Sequence, residues 1–272
     1  MGRGAAGGRG EEIEIGNRHV PIVKEMRKLF GLFAVSCFVA APAAAWEHWG
    51  GDRGGTRFSP LAMITPANVG NLVTAWQFRT GDLDTRPPEA MSRTKFQATP
   101  LFVENSVIFC SPFNEVIALD PATGAAKWRF DPRIDTSTRV ANRYNCRGVA
   151  YWVDPQAAEG AACRSRIITN TNDARLVALD AKTGAPCADF GTGGEIKIDV
   201  GKPLDWPGEF QITSAPLVSR GVIVVGSAIG DNRRVDAPLG TVRAFDARTG
   251  RPRWRAAGSV RTRRWRTSSA TA

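Results

Sequence analysis

Ala118-Leu-Asp-Pro-Ala-Thr-Gly-Ala-Ala-Lys-Trp128 is echoed by Ala178-Leu-Asp-Ala-Lys-Thr-Gly-Ala-Pro-Cys-Ala188 and by Ala244-Phe-Asp-Ala-Arg-Thr-Gly-Arg-Pro-Arg-Trp254. All three obey Ala-[Leu/Phe]-Asp-x-x-Thr-Gly, and two of them carry a Trp four residues after the Gly. The aspartates, Asp120, Asp180 and Asp246, stand 60 and 66 residues apart. Chance supplies one such match; three in register mark an internal repeat. The unit reads as a hairpin. An apolar strand ends at Asp, whose carboxylate accepts hydrogen bonds from the N–H groups of the turn, and Gly supplies the positive φ that closes it. The Trp then opens the returning strand and offers a large apolar face for packing.

Working outward, each hairpin is preceded by two more short strands. The first unit reads as strands at 101–103, 107–110, 115–119 and 127–130. The second has 149–153, 166–170, 175–179 and a weak strand near 187–190. The third has 216–218, 222–226, 241–245 and 253–254. Four-stranded meanders at a fixed period predict propeller blades, with a β-sandwich as the alternative. The stretch 73–79, with Trp76, reads as an orphan outer blade strand. The expected fold is therefore all-β, a partial β-propeller of about three blades plus that strand. The 28 Gly and 17 Pro suit such a turn-rich fold, and 43% hydrophobic residues suffice for a packed core.

The net charge of +10 does not form a binding face. Residues 251–272 hold seven Arg and no acid, residues 1–45 carry +2, and the 205 residues between them carry only +1. A nucleic-acid partner is therefore not expected. Met26-Arg-Lys is followed by an apolar run from Leu29 to Ala41 and by Ala43-Ala-Ala45. That order of basic, apolar and small residues predicts a cleavable export signal over 26–45, too short to stay as a stable membrane span. Residues 1–25 read as a non-native upstream extension, with translation starting at Met26. Export to an oxidising compartment permits a disulfide among Cys110, Cys146, Cys163 and Cys187, with the pairing left open.

These residues resemble the pyrroloquinoline quinone (PQQ) dependent dehydrogenases, the quinoproteins, over 46–254. The supporting stretches are Trp46-Glu-His-Trp-Gly-Gly-Asp52, Arg57-Phe-Ser-Pro-Leu61, Trp76-Gln-Phe-Arg-Thr-Gly-Asp82, Cys146-Arg-Gly-Val-Ala-Tyr151 and Cys187-Ala-Asp-Phe-Gly191. Within the family they look most like the glucose dehydrogenase branch. The resemblance implies an eight-bladed propeller and a periplasmic enzyme. It implies a sugar or polyol substrate, with electrons passed to a quinone or cytochrome. A quinate-type dehydrogenase and a non-enzymatic scaffold of the outer-membrane assembly type are the alternatives.

Site residues follow motif by motif. Arg147 is implied to hold a PQQ carboxylate or quinone oxygen, for which a planar fork of donors is suited. Thr213, in Gln211-Ile-Thr-Ser-Ala-Pro216, matches a PQQ-binding hydroxyl. Ser227 and Ala228 match small residues lining the cofactor slot. Asp231 and Asn232 match ligands of Ca²⁺ or Mg²⁺, cations that take hard oxygen donors. Gln97 stands where many relatives have a Glu touching PQQ. The adjacent-cysteine ring of the alcohol-oxidising branch is absent from Arg139-Val-Ala-Asn-Arg-Tyr-Asn145, which favours sugars or polyols. The family's catalytic Asp matches nothing before Trp254. Residues 255–272 lack acids, Leu, Ile and Phe and read as an aberrant basic tail without strands, expected to come from a frameshift or premature stop, with a natural disordered basic tail as the alternative.

Overall fold

A computed structural model of the chain describes residues 46–137, 139–257 and 262–264. The expected extension at 1–25, the export signal at 26–45 and most of the 255–272 tail lie outside the described residues. Strand β1 (Thr94–Phe96) leads into a first four-stranded meander of β2 (Leu101–Val103), β3 (Ser106–Cys110), β4 (Val116–Leu119) and β5 (Ala126–Phe130). Strand β6 (Tyr144–Cys146) runs parallel to β1 and leads into a second meander. Its strands are β7 (Ala150–Val153), β8 (Ser165–Asn170), β9 (Arg175–Asp180) and β10 (Glu195–Lys197). After β11 (Phe210–Gln211) come β12 (Leu217–Ser219), β13 (Val222–Val225), β14 (Ala228–Ile229), β15 (Thr241–Asp246), β16 (Pro252–Ala257) and β17 (Thr262–Arg264). Strands β12, β13, β15, β16 and β17 form the third sheet, and β14 pairs with β11. Among the described residues no helix is long and apolar enough to cross a membrane.

The core lies between successive blades, because side chains alternate across each strand. In the middle blade Ile167, Val177 and Leu179 face one cluster with Leu101, Ile108 and Ala118 of the first blade. Their neighbours Ile168, Leu176 and Ala178 face the other, with Ile223, Val225 and Phe245 of the third. Strand β8 is accordingly buried along its whole length, whereas the outer strand β5 is mostly exposed.

The repeat builds the same turn three times. Asp120 Oδ1 accepts hydrogen bonds from the N–H of Ala122 and Thr123 and from the Thr123 hydroxyl, at 3.0, 2.9 and 3.0 Å. Asp180 and Asp246 make the same three bonds to the matching residues. Gly124, Gly184 and Gly250 close the turns at φ of 72°, 73° and 71°, where any L side chain would be strained. They also admit an aromatic. A Cβ at Gly184 would stand 2.6 Å from Trp128, whose indole N–H donates to Ala181 O at 3.3 Å. Trp76 covers Gly124 in the same way and donates to Pro121 O at 3.0 Å. Each Trp thus docks on the turn of the following blade.

Three sequence expectations are corrected. The stretch 73–79 forms no strand; it packs Trp76 and Phe78 on Phe109, Ile117 and Leu119 of the first blade without joining a ladder. The outer strand of the second blade is Glu195–Lys197, not the stretch near 187–190. Pro186 bridges Leu179 and Glu195 pairs with Val177, so the chain leaves the ladder between them. The excursion carries Phe190, and the strand after it Ile196, onto Gly250, in the role Trp128 plays at Gly184. Finally, the ladder continues past Trp254 to Ala257, and Thr262–Arg264 returns as a further strand where a strandless tail was expected.

The four cysteines form two disulfides, Cys110–Cys146 and Cys163–Cys187. The first ties the first blade to the strand entering the second; the second anchors the excursion of the middle blade.

Candidate functional site

In a four-stranded meander, the start of the first strand, the second-to-third connection and the end of the fourth strand lie at one end of the blade. Here that end, called the top, carries residues 97–100, 146–149 and 213–216, which lead into the three innermost strands. It also carries the second-to-third connections at 111–115, 171–174 and 226–240. The repeat turns lie at the opposite end. All seven residues singled out from sequence are therefore at the top.

The leads into the three blades are stitched together. Thr99 N–H donates to Arg147 O at 3.0 Å, and Arg147 N–H donates to Thr213 O at 3.1 Å. The side chains follow: Arg147 Nη1 donates to Thr213 Oγ1 at 2.7 Å. Beside them Asn145 Nδ2 donates to Gln97 Oε1 at 2.7 Å, while the buried Asn145 Oδ1 has no partner among the described residues. Gln97, Arg147 and Thr213 thus come from three successive blade leads to one place. Arg147, alone of the seven, lines a cleft of about 1360 Å³ that runs along the innermost strands of the second and third blades, past the Ser214–Pro216 lead and residues from 47–55, down to Asp246, Arg248, Thr249 and Arg253 at the third repeat turn.

The other four residues are placed differently. Ala228 sits opposite Gln211 in the β11–β14 ladder. Thr213 and Asp231 lie beyond that pair in opposite directions along it, so Asp231 and Asn232 stand apart from the Arg147–Thr213 pair, exposed in the 226–240 connection. The Ser227 hydroxyl is engaged inside its own blade: it donates to Thr241 O at 2.5 Å and accepts from Arg243 Nη1 at 2.8 Å. Arg243 is itself buried, its other donors reaching the carbonyls of Asp199, Val200 and Thr241. Burial pulls its pKa down, with the Asp199 charge acting the other way.

Two further features escaped the sequence reading. Trp49 lies over Gly148, where a Cβ would stand 2.7 Å from its ring. Its indole N–H donates to Arg147 O at 2.9 Å, and the Arg57 guanidinium stacks on it at 4.5 Å. The Gly148 that follows Arg147 was the available signal. The second feature is a chain of buried amides across the three blade tops. Asn172 Nδ2 donates to Asn114 Oδ1 at 2.7 Å, and Gln211 Nε2 donates to Asn172 Oδ1 at 2.9 Å. No local pattern announces partners 58 and 39 residues apart.

The donor set suits an anionic planar cofactor at one end. Arg147 lines the cleft as a half-buried charged fork with the Thr213 hydroxyl beside it, and a fork of this kind is matched to carboxylates. At the expected metal position the donors present are too few. Asp231 and Asn232 offer hard oxygens, yet Ca²⁺ takes six to eight such ligands. Among the described residues no group of three or more His, Cys, Asp or Glu is gathered for a metal.

A family model described as "PQQ: Glucose/ethanol/alcohol dehydrogenase, beta-propeller domain" matches residues 46–271. Quinoprotein glucose dehydrogenase A of Acinetobacter calcoaceticus is 34% identical over 229 residues, which cover 79% of this chain and 28% of that protein. Quinate/shikimate dehydrogenase (quinone) of Acinetobacter baylyi is 38% identical over 226 residues, covering 77% of this chain and 27% of the relative. The solved quinohemoprotein alcohol dehydrogenase from Comamonas testosteroni superposes with a TM-score of 0.61 at 28% identity, over 80% of this chain and 28% of that one. The chain spans little more than a quarter of the length of each. With its three docked blades and with a family match over most of its length, this chain belongs to the PQQ-dependent glucose/ethanol/alcohol dehydrogenase β-propeller family, on its glucose dehydrogenase-like side.

Proposed function

We propose that the chain contributes part of the cofactor site of a periplasmic quinoprotein that oxidises a sugar or polyol CH–OH group and passes electrons to a quinone or cytochrome. The observation that carries this reading is the 2.7 Å Arg147–Thr213 bond, which joins two blade leads beside the cleft that Arg147 lines. When bound, PQQ supplies the two-electron chemistry; the protein's part is to hold and orient it. In this reading Arg147 and Thr213 hold a cofactor carboxylate, and Gln97 presents a neutral amide beside it. Ser227, through its methylene, and Ala228 leave room for the ring system. Asp231 and Asn232 contribute to a Ca²⁺ or Mg²⁺ site that further ligands must complete. No general base is assigned among the described residues, so the chain's own contribution is binding. The 38% identity to a quinate/shikimate dehydrogenase favours, as a second reading, a cyclic polyol acid as substrate. The periplasmic assignment rests on the 26–45 segment as a cleavable signal, and a mature N-terminus at Trp46 in exported protein would support it.

The test is a titration of the purified chain with PQQ plus Ca²⁺ or Mg²⁺, followed by quenching of tryptophan fluorescence. Wild type should quench saturably. Arg147→Ala should bind about 10- to 100-fold more weakly, the range expected for losing a hydrogen bond to a charged group. An identical titration for the two proteins would remove the basis of the assignment.

A further inference from the structure

We propose that the Cys110–Cys146 disulfide is a positioning clamp for Arg147, setting where its guanidinium stands. The inference rests on the PQQ-site reading and adds to it the device that fixes the anion-binding arginine.

Cys146 immediately precedes Arg147, and both sulfur-bearing residues are buried, Cys110 at 0% and Cys146 at 2% exposure. Cys110 ends β3, held in the first blade's ladder opposite Val116. Through the disulfide the backbone just before Arg147 is therefore tied covalently to the rigid second strand of the neighbouring blade. On the other side the backbone restraints are hydrogen bonds of the Arg147 peptide: its N–H to Thr213 O, its C=O to Thr99 N–H and to the Trp49 indole. The parallel β1–β6 pairing, with Phe96 opposite Cys146, fixes the register that lets Asn145 reach Gln97. Without the covalent tie the lead into the second blade is held by hydrogen bonds alone, those of the Arg147 peptide and a three-residue parallel ladder. Such a ladder is marginal by itself.

An arginine side chain is long and flexible, so its useful position depends on a fixed Cα and on the one hydroxyl that orients it. The clamp supplies the first and Thr213 the second. The second disulfide provides a built-in control. Cys163–Cys187 joins positions at a comparable sequence separation, 24 against 36, within the second blade that Arg147 leads into. It lies toward the opposite end, where Cys163 N–H donates to the repeat aspartate Asp180.

The experiment compares Cys110→Ala/Cys146→Ala with Cys163→Ala/Cys187→Ala in the full chain. Two readouts are needed, amide hydrogen exchange and PQQ titration by tryptophan quenching with Ca²⁺ present. The first pair should lose protection at the Thr99 and Arg147 amides and bind PQQ about tenfold or more weakly, as loss of outer supports does at other sites. The second pair should keep both within twofold of wild type, whatever it loses in thermal stability. Unchanged exchange at Thr99 and Arg147 in the first pair overturns the clamp even if PQQ binds. Equal loss of affinity in both pairs overturns it as well, by assigning the effect to general destabilisation. Wild type that fails to bind PQQ overturns the cofactor reading, and with it this inference.

Discussion

The two ends of these blades are built on different rules. At the bottom, three turns repeat one another bond for bond: the same carboxylate oxygen accepts from the same three donors, and the same glycine closes each loop near φ of 72°. At the top, no two blade leads are alike; Gln97, Arg147 and Thr213 occupy matching places with a neutral amide, a cation and a hydroxyl. Repetition serves packing, since each turn has to receive an aromatic from the blade before it. In the proposed reading variation serves recognition, since the different edges of an asymmetric ligand call for different groups. A stability defect should therefore follow mutations at the bottom, and a binding defect those at the top.

The largest effect that would break this division is expected at the docking aromatics. Trp128→Ala empties the slot over Gly184, and Phe190→Ala empties the slot over Gly250, where Phe190 is fully buried. Each should cost about 3–5 kcal/mol, the usual range for truncating a packed aromatic. Urea unfolding measures it. PQQ affinity under folding conditions should move less than it does in Arg147→Ala. A Trp128→Ala variant with wild-type stability but lost binding would reverse the assignment of the two ends.

A smaller effect separates the ends by pH. Hydrogen bonds from the Thr123 N–H and hydroxyl hold the Asp120 carboxyl below the ordinary range. In Asp180 burial pushes upward but is outweighed by N–H donors from Cys163, Lys182 and Thr183. In Asp246 burial is likewise outweighed, by Thr249, Arg253 and Arg248. A carboxyl whose pKa is lower in the folded chain contributes stability above its unfolded value, about 3.9. That contribution is lost as pH falls through the lower folded values. The amides of Thr123, Thr183 and Thr249 should therefore keep their exchange protection at neutral pH and lose it together below about pH 4. Protection that persists well below that range would mean the carboxylates are not what holds the turns.

The same contrast explains what could be read in advance. Asp120, Thr123 and Gly124 interact within four residues, so the bottom turns are written in local sequence and their strands follow. The top depends on partners brought together by the fold: Arg147 and Thr213 are 66 residues apart. Cys110 finds Cys146 only because adjacent blades pack. Residue types at the top were recognisable from the family's motifs, yet the engagement of Ser227 with Arg243 and the seat of Trp49 on Gly148 were not. The stretch 73–79 misled because a Trp in an apolar run satisfies both a ladder and a docking contact, and only the docking partner is present among the described residues.

The smallest expected effect tests the one irregular turn. By the repeat, Ala188 holds the position of Trp128, so Ala188→Trp restores the pattern. If sequence position alone governed docking, the change would stabilise the chain. The geometry argues otherwise. The backbone leaves the ladder after Pro186 and rejoins it at Glu195, so Ala188 points from an exposed turn. The place over Gly250 is already filled by Phe190 and Ile196. Gly191 N–H holds the excursion to Thr249 O at 3.0 Å, and the Cys163–Cys187 disulfide anchors its start. Ala188→Trp should therefore change stability by no more than about 0.5 kcal/mol, as surface substitutions do. A gain above about 1 kcal/mol, comparable to a new aromatic contact, would show that the slot accepts the consensus residue. Phe190 would then be a tenant rather than the blade's own docking side chain.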